Sequence, residues 1–311
     1  MSKPRLRFPN NVPLRVTTID EDGVPIKLGT GFIVDHREYE SFDVSLHTEG
    51  PLELGKFLYT AWHVVAGTDF HNPTLKNDYR PAVRLRFEGE CIANGKITGI
   101  QAIEIPLLDR TGRPRWRQSP NNRDGNFGYL RDAGIVVPYQ LDAVRIPLPY
   151  EDPYIDAWTC DPSLLVNPRN FADIGDSIYI AGFPHGYSAG GEEFLKPIYL
   201  GKKIAASELN NNLSVLLDGP GAKGMSGSPV FSVVDGELRL HGLYRGVVNT
   251  GASKPKGTPL YPLGLFAKFY NVVQILASSH AYRFPDTAGP GTPTGYTIGE
   301  RPIVRTFDQE K

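Results

Sequence analysis

Short apolar runs separated by turn-forming residues dominate the chain from about Arg15 to Val248. Several of these runs alternate apolar and polar positions, which is the period-two pattern of a half-buried β-strand. Gly, Pro and Asn clusters stand between them and indicate turns. The clearest predicted strands are Gly31–Val34, Phe57–Thr60, Val83–Phe87, Ser177–Ala181, Leu213–Leu217 and Leu238–Tyr244. The pattern predicts an all-β fold.

One segment near the C-terminus has a helical period instead. Between Leu263 and Ala277, large apolar residues recur at spacings of three and four, which is typical of an amphipathic helix. We therefore predict a helix over 263–279. The Gly- and Pro-rich residues 285–311 show no apolar period and are predicted to form a flexible tail.

Composition excludes several classes of protein. The 311 residues carry a net charge of −1, and Gly (33) and Pro (27) are abundant without a collagen repeat. This excludes a coiled coil and wholesale disorder, and no apolar stretch approaches the length of a membrane span. The balanced charge gives no reason to expect nucleic acid or a membrane as partner. Two cysteines, Cys91 and Cys160, and no visible secretory signal favour a cytoplasmic location with reduced thiols.

Two short motifs suggest nucleophilic catalysis. His63 lies in Thr60–Val65 (TAWHVV), at the end of an apolar strand, and Ser226 lies between glycines in Gly224–Val230 (GMSGSPV). Each motif alone has an ordinary structural interpretation, as a packed histidine or a tight turn. Together they offer a serine and the neutral imidazole that could activate it. The order of histidine before serine is that of the chymotrypsin-like fold and the reverse of that in α/β-hydrolases.

These motifs resemble the trypsin-like serine peptidases, in their disulfide-poor bacterial branch. The residues that carry the resemblance are Gly29–Val34, Thr60–Val65, Gly182–Gly186, Gly224–Phe231 and Gly242–Tyr244. The resemblance implies two six-stranded antiparallel β-barrels, at about 15–150 and 151–262, followed by the helix, within a peptidase domain over 1–284.

The same resemblance implies serine endopeptidase activity on a protein or peptide substrate, without a cofactor or metal. His63 would be the general base and Ser226 the nucleophile, and the backbone N–H groups of Gly224 and Ser226 would form the oxyanion hole. Met225 stands where zymogen-type relatives have an activating aspartate, so we expect constitutive competence or control by a regulatory protein partner.

Two aspartates are candidates for the third member of the triad. Asp142 opens the segment LDAVRIPL, which fits the family pattern better than the surroundings of Asp132, and its distance to Gly182 also suits the fold. Asp132 remains the alternative. Arg145 lies in the strand that follows Asp142. If Asp142 is the acid, Arg145 has to face outward.

The resemblance also places a substrate pocket between the segment before Ser226 and the strand that contains Gly242. Its predicted lining residues are Pro220, Lys223, Leu243, Tyr244 and Arg245. Pro220 stands six residues before the serine, where trypsin itself has an aspartate. A preference for Lys or Arg in the substrate is therefore not expected, unless Asp218 takes the place of that aspartate. The cationic and phenolic residues could favour an acidic or polar side chain instead.

A long connection separates His63 from Asp142. It includes the arginine-rich stretch 109–124, which we interpret as a surface loop that shapes access to the cleft. Deleting residues 111–124 should then change peptide selectivity without unfolding the chain.

Two other functions are compatible with the same residues. A catalytically silent scaffold could bind peptides in the cleft, and an esterase or acyltransferase could use the same triad. Labelling of Ser226 and turnover of thioesters would distinguish them from a peptidase.

Overall fold

The computed structural model describes residues 11–36, 55–66, 82–93, 96–109, 114–118, 141–149, 152–161, 164, 171–191, 194–209, 214–234, 237–249, 262–277 and 304–305. Most of the regular structure in these ranges is antiparallel β-strand, arranged in two sheets. The β-rich fold predicted from the alternation of apolar and polar residues is therefore confirmed.

The first sheet is built mainly from the N-terminal half of the chain. Its strands are β1 (Leu14–Ile19), β2 (Pro25–Asp35), β3 (Lys56–Thr60), β4 (Arg84–Ala93), β5 (Lys96–Pro106), β6 (Arg117–Gln118), β7 (Val144–Pro147) and β14 (Val304–Arg305). They are ordered β14-β5-β4-β1-β2-β3-β7-β6. Fully buried residues such as Leu14, Leu58 and Phe87 form the core on one face of this sheet.

The second sheet is a closed antiparallel barrel of six strands. These are β8 (Ser177–Gly182), β9 (Ile198–Leu209), β10 (Ser214–Leu217), β11 (Pro229–Val234), β12 (Glu237–Asn249) and β13 (Pro262–Lys268), ordered β10-β13-β12-β11-β8-β9. Its interior contains Ile178, Val215, Val230 and Phe266, all with no exposed surface. Closure removes the unpaired sheet edges that would otherwise remain exposed.

Three helices complete the described secondary structure, apart from a 3₁₀ turn at Pro184–Gly186. They are α1 (Trp62–Ala66), α2 (Pro153–Trp158) and α3 (Phe269–Ala277). Asp152 caps α2, because its carboxylate accepts hydrogen bonds from the backbone N–H groups of Tyr154 and Ile155. The indole of Trp158 donates to the carbonyl of Glu90, which fastens α2 to the first sheet.

The predicted helix over 263–279 is wrong for its first part. Residues Pro262–Lys268 form β13, which pairs with both β10 and β12 to close the barrel. Buried Phe266 fits both the alternation of a strand and the three- and four-residue spacing of a helix. The sequence pattern therefore does not distinguish a strand from a helix here. Pairing on both edges of the segment decides for the strand, because tertiary contacts override a local pattern.

The segment 285–311 was predicted to be a flexible tail, and two of its residues fall in the described part of the chain. Val304 and Arg305 form β14, which pairs antiparallel with Gln101 and Ile100 of β5. The rest of that segment lies outside the described residues.

The arginine-rich stretch is not only a surface loop. Its residues 114–118 are described, and β6 within them pairs with β7. Trp116 is buried, and its indole N–H donates to the side-chain oxygen of Gln118 over 2.9 Å. The indole of Trp62, beside His63, donates to the same oxygen over 2.8 Å. Deleting 111–124 would remove this buried tryptophan and the shared acceptor, so we expect it to destabilise the first sheet, and its effect on selectivity stays a prediction.

Gln118 provides a direct test of this packing. We expect Gln118→Leu to lower the free energy of unfolding by about 2–4 kcal/mol, because two buried indole N–H groups lose a common acceptor. Gln118→Glu keeps an acceptor oxygen and serves as the matched control at acid pH, where its buried carboxyl group is neutral. Urea denaturation checks the difference, and a Gln118→Leu protein as stable as wild type would contradict it.

Candidate functional site

His63 and Asp142 meet where two neighbouring strands end. His63 lies in α1, directly after β3, and Asp142 lies just before β7, the strand paired with β3. The carboxylate accepts twice from His63: Oδ1 from the backbone N–H over 3.0 Å and Oδ2 from ring Nδ1 over 2.8 Å. Both contacts together fix the orientation of the imidazole and leave Nε2 on the opposite side of the ring.

Asp142 is buried, with 1 % of its side chain exposed, whereas His63 keeps 18 % exposure. Burial alone would raise the pKa of Asp142, but the charge and hydrogen bonds of His63 and the charge of Arg245 outweigh it and hold the pKa below its ordinary value. The carboxylate therefore stays ionised beside the ring. Asp132, the alternative acid, lies outside the described residues.

Arg145 does not face outward as the choice of Asp142 required. It is fully buried, and its guanidinium stacks over the ring of Phe57, 4.1 Å from the ring centroid. His36 lies in the same cluster, and burial together with the charge of Arg145 lowers the pKa of His36 to about 3, so this histidine stays neutral. Packing on an aromatic face stabilises a cation inside this strand.

The loop that contains Ser226 connects β10 to β11 and lies next to the elements that hold His63. The carbonyl of Ser226 accepts from the backbone N–H of Thr30 in β2 over 2.8 Å. A side chain at Gly227 would lie only 2.9 Å from the backbone nitrogen of Ala61, two residues before His63. A side chain at Gly29 would lie 3.0 Å from the Ser226 carbonyl and 2.8 Å from Val64. The first sheet and the barrel therefore bring Ser226 beside α1.

Glycines are required in this loop for their backbone conformation. Gly224 has φ of 90° and Gly227 has φ of 89°, both in the left-handed region. A Cβ at Gly224 would also come within 2.7 Å of the carbonyl oxygen of Phe183. The side chain of Ser226 is half-buried, and no hydrogen bond joins its hydroxyl to Nε2 of His63, both residues being within the described ranges. In the absence of substrate, such contacts are commonly long or poorly aligned.

Neither the backbone N–H of Gly224 nor that of Ser226 has an acceptor in the described part of the chain. The carbonyl of Lys223 accepts from the N–H of His185 over 2.6 Å. All described peptide bonds are trans, so the Gly224 N–H points away from that carbonyl. Free donors beside a serine can stabilise negative charge that develops on a carbonyl oxygen.

The predicted pocket residues divide into two groups. Pro220 is half-buried and Lys223 is exposed, so both reach the surface. Leu243, Tyr244 and Arg245 are buried.

Each buried member of that set has a described contact in the interior. Leu243 packs in the core that also contains Phe32. The hydroxyl of Tyr244 accepts from the backbone N–H of Gly221 over 2.7 Å. Arg245 donates to the hydroxyl of Ser214 over 2.9 Å. The pocket itself stays a prediction.

Asp218 follows β10 directly and is exposed. Its carboxylate accepts from the backbone N–H of Lys203 in β9 over 3.0 Å, and its role in the pocket stays a prediction. The amino group of Lys202 instead lies against the loop, 3.0 Å from where a Cβ at Gly219 would stand. A positive charge therefore lies beside this part of the loop, next to the carboxylate of Asp218.

Sequence reasoning missed three residues around the site. Thr30 and His185 appeared only inside the segments Gly29–Val34 and Gly182–Gly186, and Lys202 did not appear at all. Their contacts with the Ser226 loop join positions that are far apart in sequence, and no local pattern signals such contacts.

Comparison with models of protein families matches none of them to this chain, and a search of curated proteins finds no matching relative. Among the described residues, no helix is long and apolar enough to cross a membrane. The two cysteines are unpaired, with Cys160 buried and Cys91 half-buried.

Proposed function

We propose that the protein is a serine endopeptidase of the trypsin-like type, with His63, Asp142 and Ser226 as its triad. The observation that carries the proposal is the double hydrogen bond from His63 to buried Asp142, at a site where the Ser226 loop lies beside the start of α1. A tightly oriented imidazole next to a serine and two unused N–H donors is the constellation that acyl transfer requires.

The chemistry follows from these positions. Ser226 Oγ attacks the scissile carbonyl while Nε2 of His63 takes its proton, and Asp142 stabilises the imidazolium that forms. The N–H groups of Gly224 and Ser226 bind the oxyanion of the tetrahedral intermediate. His63 then gives the proton to the leaving amine, and water hydrolyses the acyl-enzyme by the same steps.

The proposal includes two finer points of architecture and location. The strands of the first sheet would form a second six-stranded barrel, with the site between the two barrels and α3 closing the C-terminal side. A cytoplasmic location is proposed from the two unpaired cysteines, since reduced thiols are the rule in that compartment.

Peptide cleavage is tested with a library of denatured proteins. We expect wild-type protein to generate new α-amino termini, counted by isotopic labelling and mass spectrometry. A preparation that turns over thioesters but releases no new termini would contradict peptidase activity and favour an acyltransferase.

A further inference from the structure

Four consecutive carbonyl groups of the Ser226 loop are each held by a donor. Those of Lys223 and Met225 accept from the backbone N–H groups of His185 and Ser228, at 2.6 and 3.0 Å. The carbonyls of Gly224 and Ser226 both accept from one residue, Thr30, in the other sheet. Because a carbonyl shares its peptide plane with the N–H of the next residue, the contacts of Lys223 and Met225 set the directions of the Gly224 and Ser226 N–H groups. The two Thr30 contacts fix the planes that alternate with them, and so the backbone that joins the two donors.

Thr30 contributes two different groups to this arrangement. Its backbone N–H donates to the Ser226 carbonyl over 2.8 Å, and its hydroxyl donates to the Gly224 carbonyl over 3.0 Å. The hydroxyl also accepts from the backbone N–H of Phe183 over 3.2 Å. Thr30 has no exposed surface, so water does not compete for these groups.

The backbone of Thr30 is itself anchored beside the histidine. Its carbonyl accepts from the hydroxyl of Thr60 over 2.7 Å, and Thr60 is the last residue of β3, three residues before His63. A single buried residue therefore connects the strand that leads to His63, the turn at Phe183 and the loop that carries Ser226.

We infer that Thr30 is a positioning residue that holds the Gly224–Ser226 backbone in the conformation able to bind an oxyanion, its hydroxyl acting on Gly224 and its N–H on Ser226. This inference rests on the proposed function. Gly224 sits at φ of 90° with no side chain to restrain it, so its peptide planes depend on outside partners. Without the hydroxyl, the Gly224 carbonyl loses its described donor, and the same peptide plane keeps the bond from the Met225 N–H to the Ala222 carbonyl.

The test compares Thr30→Val with Thr30→Ser. Valine keeps the shape and the backbone N–H but removes the hydroxyl, whereas serine keeps the hydroxyl. We expect Thr30→Val to lower kcat by about tenfold to hundredfold, somewhat less than the loss of a whole oxyanion donor, with KM changed by less than about threefold. Affinity for a peptide aldehyde, which forms a tetrahedral adduct with the serine, should fall by a similar factor. Thr30→Ser should retain wild-type kcat.

Thr18→Val is the matched control. Thr18 is fully buried in β1 of the same sheet, and its hydroxyl has no partner in the described part of the chain. We expect this variant to keep wild-type kcat. Equal kcat for wild type and Thr30→Val, or a Thr30→Ser protein as slow as Thr30→Val, would overturn the inference.

Two further measurements separate this inference from protein folding and from the proposed function. If Thr30→Val does not fold, Thr30→Cys, with its weakly bonding thiol, should be slower than Thr30→Ser.

If wild type hydrolyses no peptide, the proposed function fails, and amide hydrogen exchange still decides the inference. Peptides covering 223–227 should exchange faster in the valine variant, or in the cysteine variant if valine does not fold, and unchanged exchange would overturn it.

Discussion

Replacing the nucleophile should have the largest effect of any single substitution: we expect Ser226→Ala to lower the rate of peptide hydrolysis by about three to six orders of magnitude. The alanine removes the atom that forms the acyl-enzyme but leaves the backbone N–H donors of the loop in place. Peptide binding should therefore remain, so KM or the Kd of a substrate peptide should change little.

Ser232→Ala is the control for this result. Ser232 lies in β11, close in sequence to Ser226, and its buried hydroxyl has no partner among the described residues. We expect wild-type kcat from it. A Ser226→Ala protein with kcat within tenfold of wild type would contradict the assignment of the nucleophile.

The second largest effect is expected from Asp142→Asn. The amide oxygen can still accept from the backbone N–H of His63, but the NH₂ group then faces ring Nδ1 and forces the opposite tautomer. We expect kcat to fall by about 10⁴-fold with little change in KM, since the imidazole can no longer take the serine proton through Nε2. Steady-state kinetics at neutral pH measures this.

Asp176→Asn is the comparison for that variant, because Asp176 is exposed and its carboxylate accepts only from the backbone N–H of Asp173 among described contacts. It should leave kcat unchanged. A loss of tenfold or less in Asp142→Asn would show that another residue orients His63.

Ionised Asp142 also contributes to stability in a pH-dependent way. Burial opposes the ionised form, but the charge and hydrogen bonds of His63 hold the folded-state pKa of Asp142 below its ordinary value. Its contribution is therefore present above the ordinary carboxyl pKa and disappears as the pH falls through the lowered folded-state value.

Much of the fold could be predicted because the strands bury one face. The run Ser177–Ala181 lies in β8, where buried and less buried positions alternate at the start of the strand. The run Phe57–Thr60 lies in β3, which is buried at every position and was recognisable as a short apolar run. The segment 262–268 could not be assigned, since its apolar residues fit a helix and a strand equally and barrel closure decides between them. Residues 114–118 were predicted to be a charged loop, because Trp116, the buried aromatic residue among them, has an arginine on either side.

The candidate site was predictable to the extent that its residues lie in local motifs. The structure brings His63 and Asp142 into contact and places the Ser226 loop beside them. Arg145 was misjudged because its stacking on Phe57 is a contact between two strands, which the local sequence does not show. The role of Thr30 depends on contacts with Gly224 and Ser226, nearly 200 residues away in the chain, so the sequence contains no signal for it.

Covalent labelling of Ser226 tests the central claim most directly. We expect a fluorophosphonate probe to modify wild-type protein at this one serine, as located by mass spectrometry, because only a serine activated by His63 attacks phosphorus rapidly. Ser226→Ala should not be labelled, and His63→Ala should be labelled far more slowly. Wild-type protein that stays unmodified, or is modified at another residue, would contradict the account.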